Sequence, residues 1–420
     1  MKIGFLGLGK LGLPVALAVE SKGHQVIGTD INDSTLRNIR FKTLNYKEEG
    51  AEELLKTSKL QLKTLDKIVE ESDIIFVPIQ TPHEEKYEGI TRIPEERADF
   101  NYEFLINGIK ELNEEIEKQG KDKTVIIIST VLPGTISRFI KPILGTHLKL
   151  CYNPFFIAMG TTINDFLNSE IILFGVDDEG ASKKAEEFYK TINNTKFYKT
   201  TLENAELIKV VYNTFISTKI AMMNTVMETC HHLPNTNVDD VTEALALCSD
   251  RIISKKYLYG GMGDGGGCHP RDNIALSYLA QKLDLSYNWY DNIMKQRENQ
   301  TEWLADLIIK HKGDRQINIL GKCFKPETNI ITGSPAILLK NILEEKGETV
   351  RMWDPWVDNS DIMKVKDEYE WDKVPQLFFI GCKHEVWKEF YFMPDSVVID
   401  PFRYLEVHDN VKYIPIGKNT

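Results

Sequence analysis

Gly7-Leu8-Gly9-Lys10-Leu11-Gly12 is a G-x-G-x-x-G run, and its flanks decide what it means. Alone the pattern is weak. Here an apolar stretch, Lys2 to Leu6, reads as a strand before it, and Leu13 to Val19 follows with helical periodicity. A second strand, His24 to Gly28, ends close to Asp30, an acid about 20 residues further on, as a dinucleotide fold requires. This setting predicts a βαβ unit whose glycines permit a tight turn and let a pyrophosphate approach a helix N-terminus. Gly7, Gly9, Lys10, Leu11 and Gly12 are the candidate cofactor contacts. Asp30 is expected to accept from the adenosine ribose hydroxyls. Its charge disfavours a 2′-phosphate, which selects NAD over NADP.

Strand and helix go on alternating. Asp73 to Pro78, Thr124 to Ile128 and Leu148 to Tyr152 read as strands, and Phe100 to Gln119 as a helix. Thr81, Thr130 and Asn153 follow strand ends, where ligands sit in doubly wound sheets. Turn and cap chemistry explains each of them equally well. The whole chain has 420 residues, 42% hydrophobic and 27% charged, enough for two or three ordinary globular domains. A formal charge of -11 argues against a nucleic-acid or anionic-membrane partner, although a local basic pocket can still hold a small anion. No apolar run reaches the ~20 residues of a membrane helix. The start reads directly into a strand, so no signal peptide is expected. The six cysteines are scattered without a Cys-x-x-Cys pair, which suggests no metal site, reduced thiols and a cytoplasmic setting.

Leu202 to Glu228 reads as one long buried helix. Glu206, Lys209, Asn213 and Ser217 fall on one stripe of it. A buried lysine is costly unless paired or functional, so Lys209 either pairs with Glu206 or faces a site. Val238 to Leu247 is also helical. Then Gly263-Asp264-Gly265-Gly266-Gly267-Cys268-His269-Pro270-Arg271-Asp272 sets a cysteine among glycines. Such a thiol has few neighbours to pack against, and Arg271 favours its thiolate, the nucleophilic form. Asp272 is suited to proton handling, and a helix is expected from Asp272 to Ala280. Strands at Asn318 to Gly321, Val350 to Trp353, Leu377 to Ile380 and Val397 to Ile399 suggest a second α/β unit without the glycine run, carrying Lys325 and Arg403 in loops. Phe188 to Thr201 and Lys310 to Arg315 read as joints.

The order of these motifs resembles the UDP-glucose/GDP-mannose dehydrogenase family. The likeness rests on Gly7 to Pro14, Thr81-Pro82, Ser129 to Gly134, Asn153-Pro154, Ala205 to Lys209 with Asn213, the Cys268 loop, Gly321 to Lys325, Ser334-Pro335, and Asp400 with Arg403. It implies an α/β fold of two Rossmann-like domains with parallel sheets, joined by a long central helix that forms a dimer core. The divisions would be an NAD-binding domain over 1–199, a helical domain over 200–312 and a substrate domain over 313–420. It also implies oxidation of the C6 alcohol of a nucleotide sugar to the carboxylate by two NAD, with UDP-glucose as the default substrate. Cys268 would form a thiohemiacetal and then a thioester. Lys209 would stabilise the oxyanion, Asp272 and Thr130 would handle water and protons, and Asn213 would orient the sugar. Thr81, Thr130 and Arg271 would serve the cofactor. Arg251, Tyr257, Gly265, Phe324, Lys325 and Arg403 would line the substrate pocket with Lys209 and Asn213.

The chain departs from the family pattern in places. Phe155 stands where a glutamate that activates water is expected, and Met159 where a second acid is. Ser169 and Ile171 replace a proline and an arginine. Ile330 replaces an aspartate and Thr332 an arginine, while Arg271 replaces a lysine. A general base contributes roughly 10²–10⁴-fold, so these changes bear on the last step, thioester hydrolysis. Other readings are oxidation that stops at the aldehyde, a two-electron dehydrogenase of the 6-phosphogluconate type, and a non-catalytic binder of NAD or nucleotide sugar.

Overall fold

The computed structural model describes residues 1–249, 259–264, 266–285, 288–357 and 374–418. The chain groups into two compact units: Met1–Pro82 with Phe100–Val211, and His83–Asp99 with Tyr212–Thr420.

The first unit is built on strands β1 (Lys2–Leu6), β2 (Gln25–Thr29), β3 (Gln61–Leu62), β4 (Ile74–Val77), β5 (Lys123–Ile127), β6 (Leu148–Tyr152), β7 (Ile172–Val176) and β8 (Phe197–Thr200). They lie in the order β3-β2-β1-β4-β5-β6-β7-β8. All neighbours are parallel except β6 and β7. The order reverses between β1 and β4, which opens a crevice beyond their carboxyl ends. β4 and β5 are buried along their whole length, as a parallel sheet covered on both faces demands. The covering helices are α1 (Gly12–Ser21), α2 (Asp33–Arg40), α3 (Ala51–Thr57), α4 (Leu65–Glu71), α5 (Glu103–Gln119), α6 (Thr162–Leu167) and α7 (Glu179–Tyr189). α5 shows the local logic. Leu105, Ile109, Leu112 and Ile116 make its buried stripe, and Gly120 at φ 64° ends it in a left-handed cap. The stretch read as a joint from Phe188 to Thr201 in fact holds β8, which extends the sheet beside β7.

A long helix, α8 (Leu202–His232), begins in the first unit and continues in the second. α9 (Val238–Ala246), α10 (Cys268–Lys282), α11 (Trp289–Lys312) and α12 (Pro335–Glu345) follow. Ser334 caps α12 through the Ile337 N–H, and Pro335 takes its first position. Strands β9 (Ile317–Leu320), β10 (Val350–Trp353), β11 (Leu377–Ile380), β12 (Val397–Asp400) and β13 (Lys412–Pro415) form a parallel sheet in the order β10-β9-β11-β12-β13. The helices expected as a domain of their own over 200–312 group mostly with this sheet.

One segment of the second unit comes from far upstream. His83–Asp99 docks on α10, α11 and α12. Tyr87 is buried with Ile274, Ile293 and Met294. Arg97 pairs with Asp291, and Arg92 bridges Glu302 and Glu345.

Candidate active site

In the first unit the three glycines have three separate reasons. Gly7 has φ +117°, which L side chains rarely adopt. At Gly12 an added Cβ would lie 2.3 Å from the Gly7 carbonyl oxygen, so only glycine lets α1 sit this close to the turn. At Gly9 an added Cβ would meet no protein atom within 4 Å. The space beside it is open, as it must be where backbone approaches a pyrophosphate. α1 carries no acid in its first turn, so its N-terminus is free to favour an anion. Lys10 is exposed and Leu11 half-buried on the same turn. Asp30 accepts the Leu8 N–H at 2.7 Å on one oxygen and the Asn32 N–H at 2.8 Å on the other. A carboxylate has about four acceptor sites, which leaves two for ribose hydroxyls. Thr81 donates to the Thr130 carbonyl at 2.6 Å, tying the loops after β4 and β5 together. These residues fit a bound dinucleotide.

Asn153 is committed to the fold. It is buried, donates to the Leu173 carbonyl at 2.9 Å and accepts from the Tyr189 hydroxyl. Phe155 also turns into the core, with ring contacts to Phe166 at 5.5 Å and Phe76 at 6.5 Å. Where the family pattern expects a carboxylate, this chain has an aromatic packing residue. The next ring, Phe156, lies 5.6 Å from the buried Lys209 ammonium. Glu206 is held by backbone N–H groups. Its two oxygens accept the N–H groups of Gly134 at 2.5 Å and Ile136 at 2.8 Å. Burial pushes its carboxyl up to about 7, against the pull of those two N–H groups.

In the second unit Cys268 is exposed and opens α10, so it belongs to the first turn of a helix and not to a loop ahead of one. Asp272 is fully buried. Asn213 of α8 donates to one of its oxygens, and Arg271 reaches the other at 3.3 Å. Burial works against the Arg271 charge, and Asp272 and Cys268 outweigh it, so the guanidinium is held charged beside the thiol. Ser217 meets His269 Nδ1 at 2.9 Å and takes an N–H from Asn273 at 3.2 Å. Asn224 extends the same stripe of α8. It holds the Gly263 carbonyl at 2.7 Å and the Gly261 N–H at 2.9 Å. Asn224 was not among the expected site residues, although its spacing from Asn213 and Ser217 gave the signal. His83 was also missed. Burial and the Arg271 charge hold its ring down to about 4.

The remaining expected residues divide. Phe324 presses on the glycine run: an added Cβ at Gly266 would lie 2.3 Å from its ring. Lys325 lies 5.7 Å from the centre of the Phe324 ring. Thr332, in place of the family arginine, packs on Gly267. Arg403, expected as a substrate contact, has partners within the chain. Its side chain is 4% exposed and is committed to Asp239 at 2.8 Å and to the carbonyls of Gly260 at 2.8 Å and Ile416 at 3.1 Å. Arg251, Tyr257 and Gly265 lie outside the described residues.

Cys323, Asp354 and His384 converge within 4.8 Å beyond β9, β10 and β11. One Asp354 oxygen already takes the N–H groups of Lys322 at 2.7 Å and Cys323 at 3.0 Å, and meets His384 Nε2 at 3.1 Å. His384 Nδ1 lies 3.4 Å from the Glu327 backbone N–H, and Nε2 faces the carboxylate. The cluster fastens three strand ends together.

Known proteins match this architecture. The NAD binding domain of the UDP-glucose/GDP-mannose dehydrogenase family matches residues 1–193, and the family's central domain matches 203–299. GDP-mannose 6-dehydrogenase of Pseudomonas aeruginosa is 27% identical over 392 residues, covering 90% of this chain and 86% of that one. UDP-glucose 6-dehydrogenase of Rickettsia conorii is 26% identical, covering 99% and 98%. A UDP-glucose dehydrogenase structure from Pyrobaculum islandicum shares the fold, with TM-score 0.85 and 23% identity over 99% of this chain and 97% of that one. Together with the glycine geometry and the Cys268 turn, these matches show that the chain belongs to the UDP-glucose/GDP-mannose dehydrogenase family of NAD-dependent oxidoreductases.

Proposed function

We propose that this chain oxidises the C6 alcohol of a nucleotide sugar through the aldehyde to the carboxylate, with Cys268 as the covalent nucleophile. The observation that carries this reading is the placement of Cys268: an exposed thiol on the first turn of α10, beside the Arg271 charge and four residues before the buried Asp272. NAD supplies the hydride acceptor for both oxidations. Cys268 Sγ adds to the aldehyde carbon, and Lys209 stabilises the oxygen as it gains charge. Loss of hydride from C6 leaves a thioester. Water adds, the carbon–sulfur bond breaks, and the thiolate returns. With Phe155 in the core, Asp272 is assigned the proton of that water, helped by Thr130. Asn213 orients the sugar and Asp272. Phe324 and Lys325 line the substrate side, and Arg271 serves both the thiol and the cofactor. Thr81, Lys10, Leu11 and the glycines contact NAD with Asp30.

The long helix supports a homodimer. Leu207, Val211, Phe215 and Met222 are exposed on the side of α8 opposite its buried polar stripe. An apolar stripe turned outward calls for a partner, and a second α8 is the occupant we assign. Six free thiols suit a reducing cytoplasm.

The test is a panel of UDP-glucose, GDP-mannose and UDP-N-acetylmannosamine, read as NADH and product mass. Two NADH per sugar and a carboxylate are expected, with UDP-glucose the first to try. Phe155 packs in the core and offers no carboxylate, which favours one further outcome, a slow hydrolysis that leaves acyl-enzyme. It would be read as a burst of two NADH per active site with little free carboxylate, whereas one NADH per sugar would mark oxidation that stops at the aldehyde. Cys268→Ser should keep NAD binding and lose the carboxylate; full carboxylate yield would remove Cys268 from the reaction.

A further inference from the structure

Ahead of Cys268 runs Gly265-Gly266-Gly267, which has no side chains with which to fix itself. The backbone just before it is heavily held. Besides Asn224, Gln300 of α11 donates to the Gly261 carbonyl at 2.9 Å and accepts the Gly263 N–H at 3.2 Å. Then comes Asp264, 1% exposed, whose carboxylate meets Arg297 Nε at 3.0 Å. Arg297 is fully buried, and its Nη2 donates to the Gly89 carbonyl at 2.6 Å. An added Cβ on Gly89 would lie 3.0 Å from Pro270, two residues past Cys268. One guanidinium therefore holds both the turn before the nucleophile and the segment packed on the helix after it.

This pair is poorly explained by stability. Arg297 Nη1 and Asp264 Oδ2 have no hydrogen-bond partner among the described residues. A buried ion pair with open valences is commonly matched or bettered by apolar side chains of similar volume. What apolar side chains cannot supply is a directional bond at a set point of a glycine-rich turn. We propose that Arg297 and Asp264 are positioning residues for the second oxidation, anchoring the turn that presents Cys268. The proposal rests on the reading of Cys268 as nucleophile. The first oxidation, at the alcohol, needs no sulfur and should be spared.

The experiment uses the full-length protein with UDP-glucose, GDP-mannose and UDP-N-acetylmannosamine, each supplied as the C6 alcohol and as the C6 aldehyde. The variants are Asp264→Leu/Arg297→Met together, Arg297→Lys and Cys268→Ser. For the double variant the expected result is a folded protein with a Tm within a few degrees of the unaltered chain, because removal of the buried charges offsets the bond lost at the Gly89 carbonyl, and near-normal alcohol oxidation. Its kcat on the aldehyde should fall roughly 10–100-fold, with KM little changed, as for a misplaced reacting group. Arg297→Lys, which keeps the charge, should recover part of that loss. It also stands in if the double variant fails to fold: a normal kcat for Arg297→Lys on the aldehyde would then overturn the proposal. So would normal aldehyde oxidation by a folded double variant, or equal losses on alcohol and aldehyde. If Cys268→Ser oxidises the aldehyde normally, or if the unaltered chain oxidises none of the sugars, the nucleophile reading fails and takes the anchor with it. Loss in Cys268→Ser with normal pair variants removes the anchor alone.

Discussion

Asn213 of α8 donates a hydrogen bond to the buried carboxylate of Asp272, one turn of α10 after Cys268. A long structural helix thereby fixes a group assigned to proton transfer. Asn213→Ala removes a bond to a charged group, which is worth about 1.5–3 kcal/mol. The expected outcome is a Tm lower by several degrees and a larger loss in carboxylate formation. Asn213→Asp should be worse in both, because two carboxylates then face each other. Activity of Asn213→Asp equal to that of Asn213→Ala would argue against the contact.

Gly9 and Gly12 should separate cofactor binding from folding. Gly9→Ala meets no protein atom within 4 Å, so its Tm should match the unaltered chain while NAD binding weakens. A roughly tenfold loss corresponds to about 1.4 kcal/mol. Gly12→Ala puts a methyl 2.3 Å from a backbone oxygen and should cost about 1–3 kcal/mol of stability. Calorimetry and NAD titration of the two variants check this. A thermal penalty at Gly9 would mean the position is shaped by the protein itself.

Glu206 should tilt stability against pH. Its folded carboxyl titrates at about 7, above its ordinary value of 4.5. The protonated form is therefore favoured in the fold. That stabilisation is complete below about 4.5 and is lost as pH rises through about 7. Glu206→Gln cannot ionise. It gives up one backbone hydrogen bond, so its stability starts lower, and the slope between those values should flatten. Chemical denaturation at several pH values measures this, and a slope unchanged in the variant would assign it to another group.

Phe215 lies mid-way along the outward apolar stripe of α8. Phe215→Asp places a charge where a second copy is proposed to pack. Light scattering should then report a shift from dimer toward monomer mass. A mass equal to that of the unaltered chain would exclude this face as the contact.

Much of the first unit could be read from the sequence, because parallel strands buried on both faces are short apolar runs. Leu148–Tyr152, Val350–Trp353 and Leu377–Ile380 have the bounds expected of them. β8 was obscured: Phe197-Tyr198-Lys199-Thr200 is an edge strand, half-buried at its ends and exposed in the middle, and it resembles a loop in composition. The glycine triad and the Cys268 turn were legible because each departs from ordinary composition for a local reason. The surroundings of Arg403 were not legible in the same way. A cation beyond a strand end looks the same in sequence whether it faces a ligand or, as here, Asp239 and three carbonyls. The fate of Phe155 depended on Phe76, distant in sequence, and on Phe166 of the nearby α6, and both meet it only after folding.

The path of His83–Asp99 has a consequence for how the protein can be taken apart. The polypeptide passes from one unit to the other after Pro82, after Asp99 and after Val211. A truncation near residue 200 would carry Tyr87 away from Ile274, Ile293 and Met294, and would leave Arg297 and Asp291 without their upstream partners. Neither fragment would be a whole half. Exchange of halves with a relative would have to move 83–99 together with the C-terminal portion. In genetic terms the recombination unit is discontinuous, and single-crossover chimaeras should be recovered rarely as folded protein.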